Sequence, residues 1–180
     1  MLSAFAPEIS AAPADTAAIF KQLAPYIWRV LRSLGVPESE VADVCQEVFV
    51  VVHKKLGSFE QRSSLRTWVY GIAVYTASDH RKRMRRRRET LTDTPPEQIA
   101  PHTPDSVAER REAKRVLSDI LDELDDDKRA VFVLYEIEQL SMAEVAGSLG
   151  CPLQTAYSRL HAARTFVQQR IAQVQREVSQ

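Results

Sequence analysis

The sequence has little glycine and cysteine and no long apolar run. Five glycines among 180 residues, together with abundant Ala, Leu, Val, Glu and Arg, favour helices over turn-rich β structure. The two cysteines, Cys45 and Cys151, form no CxxC pair, which argues against a disulfide scaffold or a zinc site. Both lie on apolar helical positions, so we expect buried thiols. No apolar stretch reaches about 18 residues, so we expect no membrane span.

The usual patterns of catalytic and nucleotide-binding sites are also absent. The four histidines, at positions 53, 80, 102 and 161, show no ligand spacing. There is no glycine-rich phosphate loop and no GxSxG motif. The opening stretch MLSAFAPEISAAPA has neither a basic segment nor a long apolar run, so we expect a flexible tail over 1–14 and not a signal peptide. These features predict a cytoplasmic protein that is not an enzyme and needs no metal or cofactor.

The formal net charge is +0, but charges of each sign are concentrated in separate segments. Residues 61–90 contain nine Lys/Arg and two Asp/Glu, whereas residues 91–140 contain six and thirteen. The densest positive run is RKRMRRRR over 81–88, which directly follows a segment with one Trp and two Tyr. Basic patches of this kind predict an anionic partner, with nucleic acid as the first candidate.

A proline-rich segment divides the chain into two helical halves. Residues 91–109 contain four Pro and no sustained periodicity, which is typical of a linker. Apolar residues at spacings of three and four predict helices on both sides of it. We therefore predict an all-α fold of two small helical domains, over 15–90 and 110–176. The expected helices lie at about 15–34, 38–56 and from Ser63 or Ser64 into the arginines, and then at about 107–124, from 125, over 142–149 and from about 153.

The segment LSMAEVAGSLGCPLQTAYSRLHAAR has the spacing of a helix-turn-helix. Ser141 and Glu144 fit a capping box at the start of its short first helix, and Gly150 suits the left-handed residue that ends it. The second helix offers donors that can reach base edges and phosphates in a major groove. These donors are Thr155, Tyr157, Ser158, Arg159, His161 and Arg164. The alternative is an ordinary helical hairpin with a polar face.

The basic run and the aromatic residues before it form a second candidate site. Several arginines can neutralise phosphates, and exposed rings can stack on unpaired bases. Trp68 has helical spacing with Leu65 and Ile72, which favours a core position for it. Tyr70 and Tyr75 are therefore the expected surface rings. The alternative is a solvated helix end.

A third candidate is the polar face of the helix that contains DVCQEVF, residues 43–49. Asp43, Gln46, Glu47 and His53 lie off its apolar stripe. This face is either an ordinary hydrated surface or an acidic docking site for a basic partner.

Taken in order, these segments resemble a bacterial RNA polymerase sigma factor of the extracytoplasmic-function (ECF) group. The resemblance covers most of the chain and includes the two-domain arrangement with a Pro-rich linker. Its most specific strings are SLRTWVYGIA and SRLHAAR. It implies a transcription initiation factor that binds core RNA polymerase, recognises the -10 and -35 promoter elements and assists promoter melting. Duplex and melted promoter DNA and an anti-sigma factor are the other implied partners, and no membrane is implied.

The resemblance also assigns roles by position. The loop FEQRSS, residues 59–64, matches the loop that captures a flipped -10 base, and the helix-turn-helix donors match the -35 site. The implied -10 contacts are Arg62, Ser63, Ser64, Arg66, Trp68, Tyr75, Asp79, Arg81 and Arg83. The implied polymerase contacts are Asp43, Gln46, Glu47 and His53 for the clamp, and Phe132, Leu134 and Tyr135 for the flap.

The chain departs from the family pattern at four positions. Tyr75 replaces a common Asn, Gln154 a frequent Gly, Asp125 a frequent Pro and Tyr157 a basic or polar residue. The departures at Tyr75 and Tyr157 bear on which promoter sequence is recognised. Two other classes of protein stay open on the residues alone. A two-module repressor or activator would bind duplex DNA without polymerase, and a protein that sequesters sigma factors would need no arginine block.

Overall fold

The computed structural model describes residues 15–90 and 106–178, with side chains over 15–87 and 112–177. Within these ranges the chain is α-helical with short connections and contains no strand. The predicted all-α fold is therefore confirmed. The predicted N-terminal tail and most of the predicted linker lie outside the described residues.

Three α-helices form the first half, the described residues before the linker. Their bounds are α1 Thr16–Ser33, α2 Val41–Lys55 and α3 Leu65–Thr90. Side-chain caps begin two of them, as expected for orphan amides at helix starts. Asp15 accepts a hydrogen bond from the Ala17 amide at 3.0 Å, and Ser64 accepts one from the Thr67 amide at 3.0 Å. Between Ser64 and Ser63, the sequence candidates for the cap of α3, the structure selects Ser64.

Four α-helices and one π turn form the described part of the second half. Their bounds are α4 Ser106–Asp122, α5 Asp126–Phe132, the π turn Val133–Ile137, α6 Met142–Leu149 and α7 Leu153–Val178. The predicted capping box is present, because the Glu144 carboxylate accepts from the Ser141 amide at 2.9 Å while Ser141 caps the Glu144 amide. Gly150 ends α6 with a φ of 59°. No sequence signal predicted the π turn, since its residues continue the apolar spacing of α5.

The apolar faces of both halves meet in one buried cluster. Ile27 and Val48 belong to it in the first half, and Val131 and Leu160 belong to it in the second. Helix α3 packs along α6, and α1 contacts the π turn. The two halves therefore lie directly against each other, and their division into separate domains stays a prediction.

Burial corrects part of the sequence analysis. Tyr70, expected at the surface, is 1% exposed because Glu138 of the second half covers it, and the Tyr70 hydroxyl donates to that carboxylate at 3.4 Å. Trp68, expected in the core, is half-buried and packs against Phe59 with 4.9 Å between ring centroids. Cys45 is buried as predicted, and burial raises the pKa of its thiol. Cys151 is only partly buried.

Gly150 and Gly57 provide a matched test of backbone conformation. A Cβ atom at either position would have nothing within 4 Å, but only Gly150 has a positive φ, of 59°. We expect Gly150→Ala to lower the free energy of unfolding by ~1–2 kcal/mol, because alanine disfavours the left-handed region. We expect Gly57→Ala to change it by less than ~0.5 kcal/mol. Urea unfolding followed by circular dichroism measures both, and equal losses would contradict the conformational role of Gly150.

Candidate nucleic-acid interface

A groove of about 750 Å³ opens between α2, α3 and α6. Five of the residues predicted to contact the -10 strand line it: Ser63, Trp68, Tyr75, Asp79 and Arg83. Lys55 and Lys82 add positive charge to the same walls. Local helix geometry explains the grouping, because residues three, four or seven apart on α3 share one face. The structure thus brings rings and cations together on one concave surface.

Tyr75 is the ring in this groove that is most available for stacking. Its side chain is 72% exposed, and it lies seven residues, or about two helical turns, beyond Trp68 on α3. Exposed aromatic rings stack on unpaired bases with little regard to sequence. The groove can therefore hold a single strand, with phosphates near the cations and a base on Tyr75.

The loop before α3 presents its polar groups in different directions. Arg62 is exposed and forms an ion pair with Glu60 at 2.6 Å. Ser64 is occupied as the cap of α3, and Ser63 lines the groove. Arg66 is partly buried, with its guanidinium 5.5 Å from the centroid of a buried ring, that of Tyr70. Only part of the predicted -10 set therefore faces the groove.

The arginine block is not one continuous surface. Arg83 lines the groove and donates to Glu47 at 2.9 Å. Arg81, a predicted DNA contact, instead forms an ion pair with Asp126 of the second half at 2.9 Å. Its side chain is 14% exposed, and burial lowers the pKa of its guanidinium. We therefore correct the role of Arg81 to a contact between the halves.

The polar face of α2 is exposed, as the sequence indicated. Asp43, Gln46, Glu47 and His53 all lie at the surface, and His53 shares a 3.0 Å hydrogen bond with Thr16 of α1. This face can accept a basic partner, since two of its members are carboxylates.

An apolar groove that the sequence analysis missed borders this face. It lies between α1 and α2, has a volume of about 290 Å³ and is lined by Trp28 and Cys45. Phe20, also in its lining, is 44% exposed and packs edge-on against Phe49. The sequence could have indicated this groove, because Phe20 and Trp28 each directly follow a core position of α1.

Helices α6 and α7 form the predicted helix-turn-helix, and most of its predicted DNA contacts are accessible. Tyr157, Ser158, His161 and Arg164 are exposed on α7, whereas Thr155 and Arg159 are partly buried. The side chains therefore form a polar face along the first half of this helix.

Both arginines of that face form ion pairs that the sequence analysis did not anticipate. Arg159 pairs with Asp127, and Arg164 donates to Glu136 at 2.5 Å. The Arg164 guanidinium also lies 5.4 Å from the Tyr135 ring centroid. Its hydrogen bond to Glu136 raises the pKa of Arg164. These carboxylates hold the guanidiniums at the edge of α7, where DNA phosphates would compete for them.

Two of the three residues assigned to the polymerase flap are not accessible. Leu134 is 0% exposed and Phe132 is 9% exposed, because both pack into the core of the second half. Tyr135 is partly exposed beneath Arg164. We therefore correct the assignment: Leu134 and Phe132 support the surface, and Tyr135 is the member of this set that can contact a partner.

The described residues offer neither a candidate metal site nor a candidate membrane span. They contain no group of three or more His, Cys, Asp or Glu side chains placed to hold a metal ion. Among them, no helix has both the length and the apolar character that a bilayer crossing requires.

Two family models match this chain, one in each half. The family model "Sigma-70 region 2" matches residues 19–88, and the model "Sigma-70, region 4" matches residues 114–167. The RNA polymerase sigma-H factor of Pseudomonas aeruginosa is 30% identical over 148 residues, which cover 77% of this chain and 76% of the relative. The ECF RNA polymerase sigma-E factor of Haemophilus influenzae is 29% identical over 145 residues, or 76% and 77% of the two chains.

Two solved structures share the fold. CnrH in complex with the cytosolic domain of CnrY matches with a TM-score of 0.65 and 24% identity over 87% of each chain. The sigma factor RpoE in complex with the anti-sigma factor NepR, from Bartonella quintana, matches with a TM-score of 0.64 and 22% identity, over 89% of this chain and 98% of the other.

The exposure of Tyr75 leads to a test of stacking. We expect Tyr75→Ala to weaken binding of a fluorescein-labelled oligo(dT) strand by ~1–3 kcal/mol, the usual contribution of one stacked base. Tyr75→Phe should keep the affinity, because the ring face is retained. Fluorescence anisotropy at low salt measures both. Tyr157→Ala is the matched control, since Tyr157 is 50% exposed but lies on α7. An equal loss in the Phe variant would contradict stacking.

Proposed function

The chain belongs to the ECF group of the sigma-70 family, and on that premise we propose that its two halves are the two promoter-binding domains of a transcription initiation factor. The observation that supports this most strongly is that the two halves carry different kinds of binding surface. The first half supplies the rings and cations of the groove, which suit unpaired DNA. The second half, whose helix α6 adds one wall of that groove, has a helix-turn-helix, which suits a duplex. In this proposal residues 15–90 act at the -10 element and residues 110–176 act at the -35 element.

At the -10 element, the first half would hold one melted strand. The loop 59–64 would capture a flipped base, and flipping costs a few kcal/mol because stacking and pairing are lost. Stacking on Tyr75 and phosphate contacts from Lys82 and Arg83 would offset that cost. These contacts favour the open strand over the duplex, and this difference is what promotes melting.

At the -35 element, α7 would enter the major groove while α6 crosses the backbone. Arg159 and Arg164 would exchange their carboxylate partners for base edges or phosphates. Ser158, Tyr157 and His161 stand beside them as exposed donors or ring contacts. A bidentate arginine contact to guanine contributes ~1–3 kcal/mol of discrimination.

Core RNA polymerase would bind through α2 and the second half. The exposed carboxylates Asp43 and Glu47, with Gln46, suit a basic surface on the polymerase clamp. Tyr135 would contact the flap. We place the protein in the cytoplasm with the polymerase, and we extend to it the partner class seen in its structural neighbour, an anti-sigma factor.

Run-off transcription tests the proposal as a whole. Purified core RNA polymerase is incubated with a pool of genomic promoter fragments, with and without the protein. Discrete new starts that depend on the protein are expected, and their upstream sequences define both elements. No new starts, together with tight duplex binding by the protein alone, would favour a repressor or activator.

A paired-arginine experiment tests the role of α7. We expect Arg159→Ala with Arg164→Ala to lose ~1–3 kcal/mol for each base contact removed, measured as promoter occupancy by the holoenzyme. The matched control is Arg170→Ala with Arg176→Ala, which removes the same charge from the same helix beyond the proposed DNA-binding face. If both double variants lose the same promoter occupancy, the loss reflects only the removed positive charge. The assignment of Arg159 and Arg164 to the DNA-binding face of α7 is then wrong.

A further inference from the structure

The two arginines on the polar face of α7 are held by carboxylates through different nitrogens. Arg159 donates to Asp127 from Nη2, a terminal nitrogen of its guanidinium. Arg164 donates to Glu136 from Nε, the nitrogen nearest its aliphatic stem, at 2.5 Å. A guanidinium makes an end-on bidentate contact with its two terminal nitrogens, and Nε is not one of them. The bond to Glu136 therefore leaves the end-on pair of Arg164 to other partners.

A second contact restrains the same guanidinium. It lies 5.4 Å from the Tyr135 ring centroid, which is within the ~6 Å range of a cation–π contact. Glu136 fixes one edge of the guanidinium and the Tyr135 ring limits its movement on another side. The Arg164 side chain is still 48% exposed. Arg164 is thus held in a defined orientation and remains open to a ligand.

The π turn Val133–Ile137 explains how two neighbouring residues reach one guanidinium. Its i→i+5 hydrogen bond joins the Glu138 amide to the Val133 carbonyl at 3.0 Å. Successive side chains of such a turn are separated by a smaller rotation than those of an α-helix, so Tyr135 and Glu136 can face α7 together. Turns of this kind are rare and occur frequently at functional sites.

The surroundings of Arg164 favour an uncharged ligand with two acceptors. Tyr157, His161 and Arg164 are spaced by four and three residues and are all exposed, so they share the open face of α7. In the proposed function, on which this inference rests, that face enters the major groove. Guanine presents two acceptors there, O6 and N7. A phosphate is the less suitable ligand, because the charge of Glu136 offsets the attraction of Arg164 for an anion.

We propose that Arg164 binds a guanine of the -35 element and that Glu136 and Tyr135 are positioning residues for it. Arg164 donates from its terminal nitrogens to O6 and N7, while its Nε stays bound to Glu136. Because the side chain is ordered before DNA arrives, binding costs less side-chain entropy. An exchange of partners is then required of Arg159, which has to release Asp127, but not of Arg164.

Replacement of single guanines tests the contact in the holoenzyme. A deaza analogue of guanine, in which a C–H group replaces N7, keeps base pairing and removes one acceptor. Each guanine of the -35 element is replaced in turn, in a promoter fragment identified by run-off transcription. At one position the Kd of the unaltered protein should rise several-fold. For Arg164→Ala the ratio of the two Kd values at that position should be close to one.

Variants of Glu136 test the positioning role by the same ratio. Glu136→Ala should lower the ratio several-fold, and Glu136→Gln should restore most of it, because the amide oxygen still accepts from Nε. Glu123→Ala is the matched control, since it removes the same charge and frees Arg170, which lies on α7 beyond the proposed DNA-binding face. This control should keep the ratio. A merely structural role of Glu136 would change the affinity for all fragments together and leave the ratio unchanged.

A measurement without DNA tests the positioning separately. In the isotope-labelled full chain, the Nε–H group of Arg164 should give a nuclear magnetic resonance signal that exchanges slowly with water. The signal is assigned by its loss in Arg164→Ala. In Glu136→Ala it should exchange rapidly, and in Glu123→Ala it should stay slow. Rapid exchange in the unaltered protein would overturn the positioning role.

The remaining outcomes separate this inference from the proposed function. If Arg164→Ala weakens binding equally at every sequence and lowers the salt dependence, Arg164 contacts a phosphate and the guanine contact is wrong. If Glu136→Ala keeps the ratio, Glu136 is not a positioning residue. If run-off transcription gives no start, the proposed function and the guanine contact both fail. The Nε–H signal would still decide whether Glu136 holds Arg164.

Discussion

The burial of one cation, Arg129, constrains how the helices of both halves are arranged. The last carbonyls of a helix have no intrahelical partner and carry partial negative charge. Arg129 donates to two carbonyls at helix ends, that of Leu34 after α1 and that of Leu121 in the last turn of α4, which also accepts from the Leu124 amide. A guanidinium keeps its proton at ordinary pH, so the hydrogen bonds from the two terminal nitrogens of Arg129 offset part of the cost of burying it. The ends of α1 and α4 are therefore held at fixed positions relative to α5.

The segregation of charge along the sequence has an intramolecular explanation. The acidic residues of the second half neutralise part of the basic residues of the first, as Glu138 does for Arg29 and Asp126 for Arg81. Tyr75, Lys82 and Arg83 line a groove on the other side of α3. Opposite charges thus join the halves on one face of α3, and the positive groove stays available on another.

Local structure was predictable because its causes are local. The capping box at Ser141, the left-handed Gly150 and the helix-turn-helix spacing all follow from residues within a few positions of one another. The three aspartates 125–127 show the limit of prediction from neighbouring residues. In the sequence they indicate one helix N-terminus, and Asp125 does cap α5. Asp126 and Asp127, however, form ion pairs with arginines of α3 and α7. The burial of Tyr70 has the same origin, since the group that covers it is 68 residues away.

The interface between the halves combines apolar packing with ion pairs. A purely apolar contact would expose only unfavourable surface on separation, whereas a buried ion pair recovers its hydration when it parts. Pairs such as Arg29–Glu138 therefore contribute little net affinity and much geometric specificity. An apolar replacement of similar shape is often neutral or stabilising by ~1–4 kcal/mol, which would hold the halves together more firmly. The shared apolar cluster therefore holds the halves together, and the ion pairs fix how the halves are oriented.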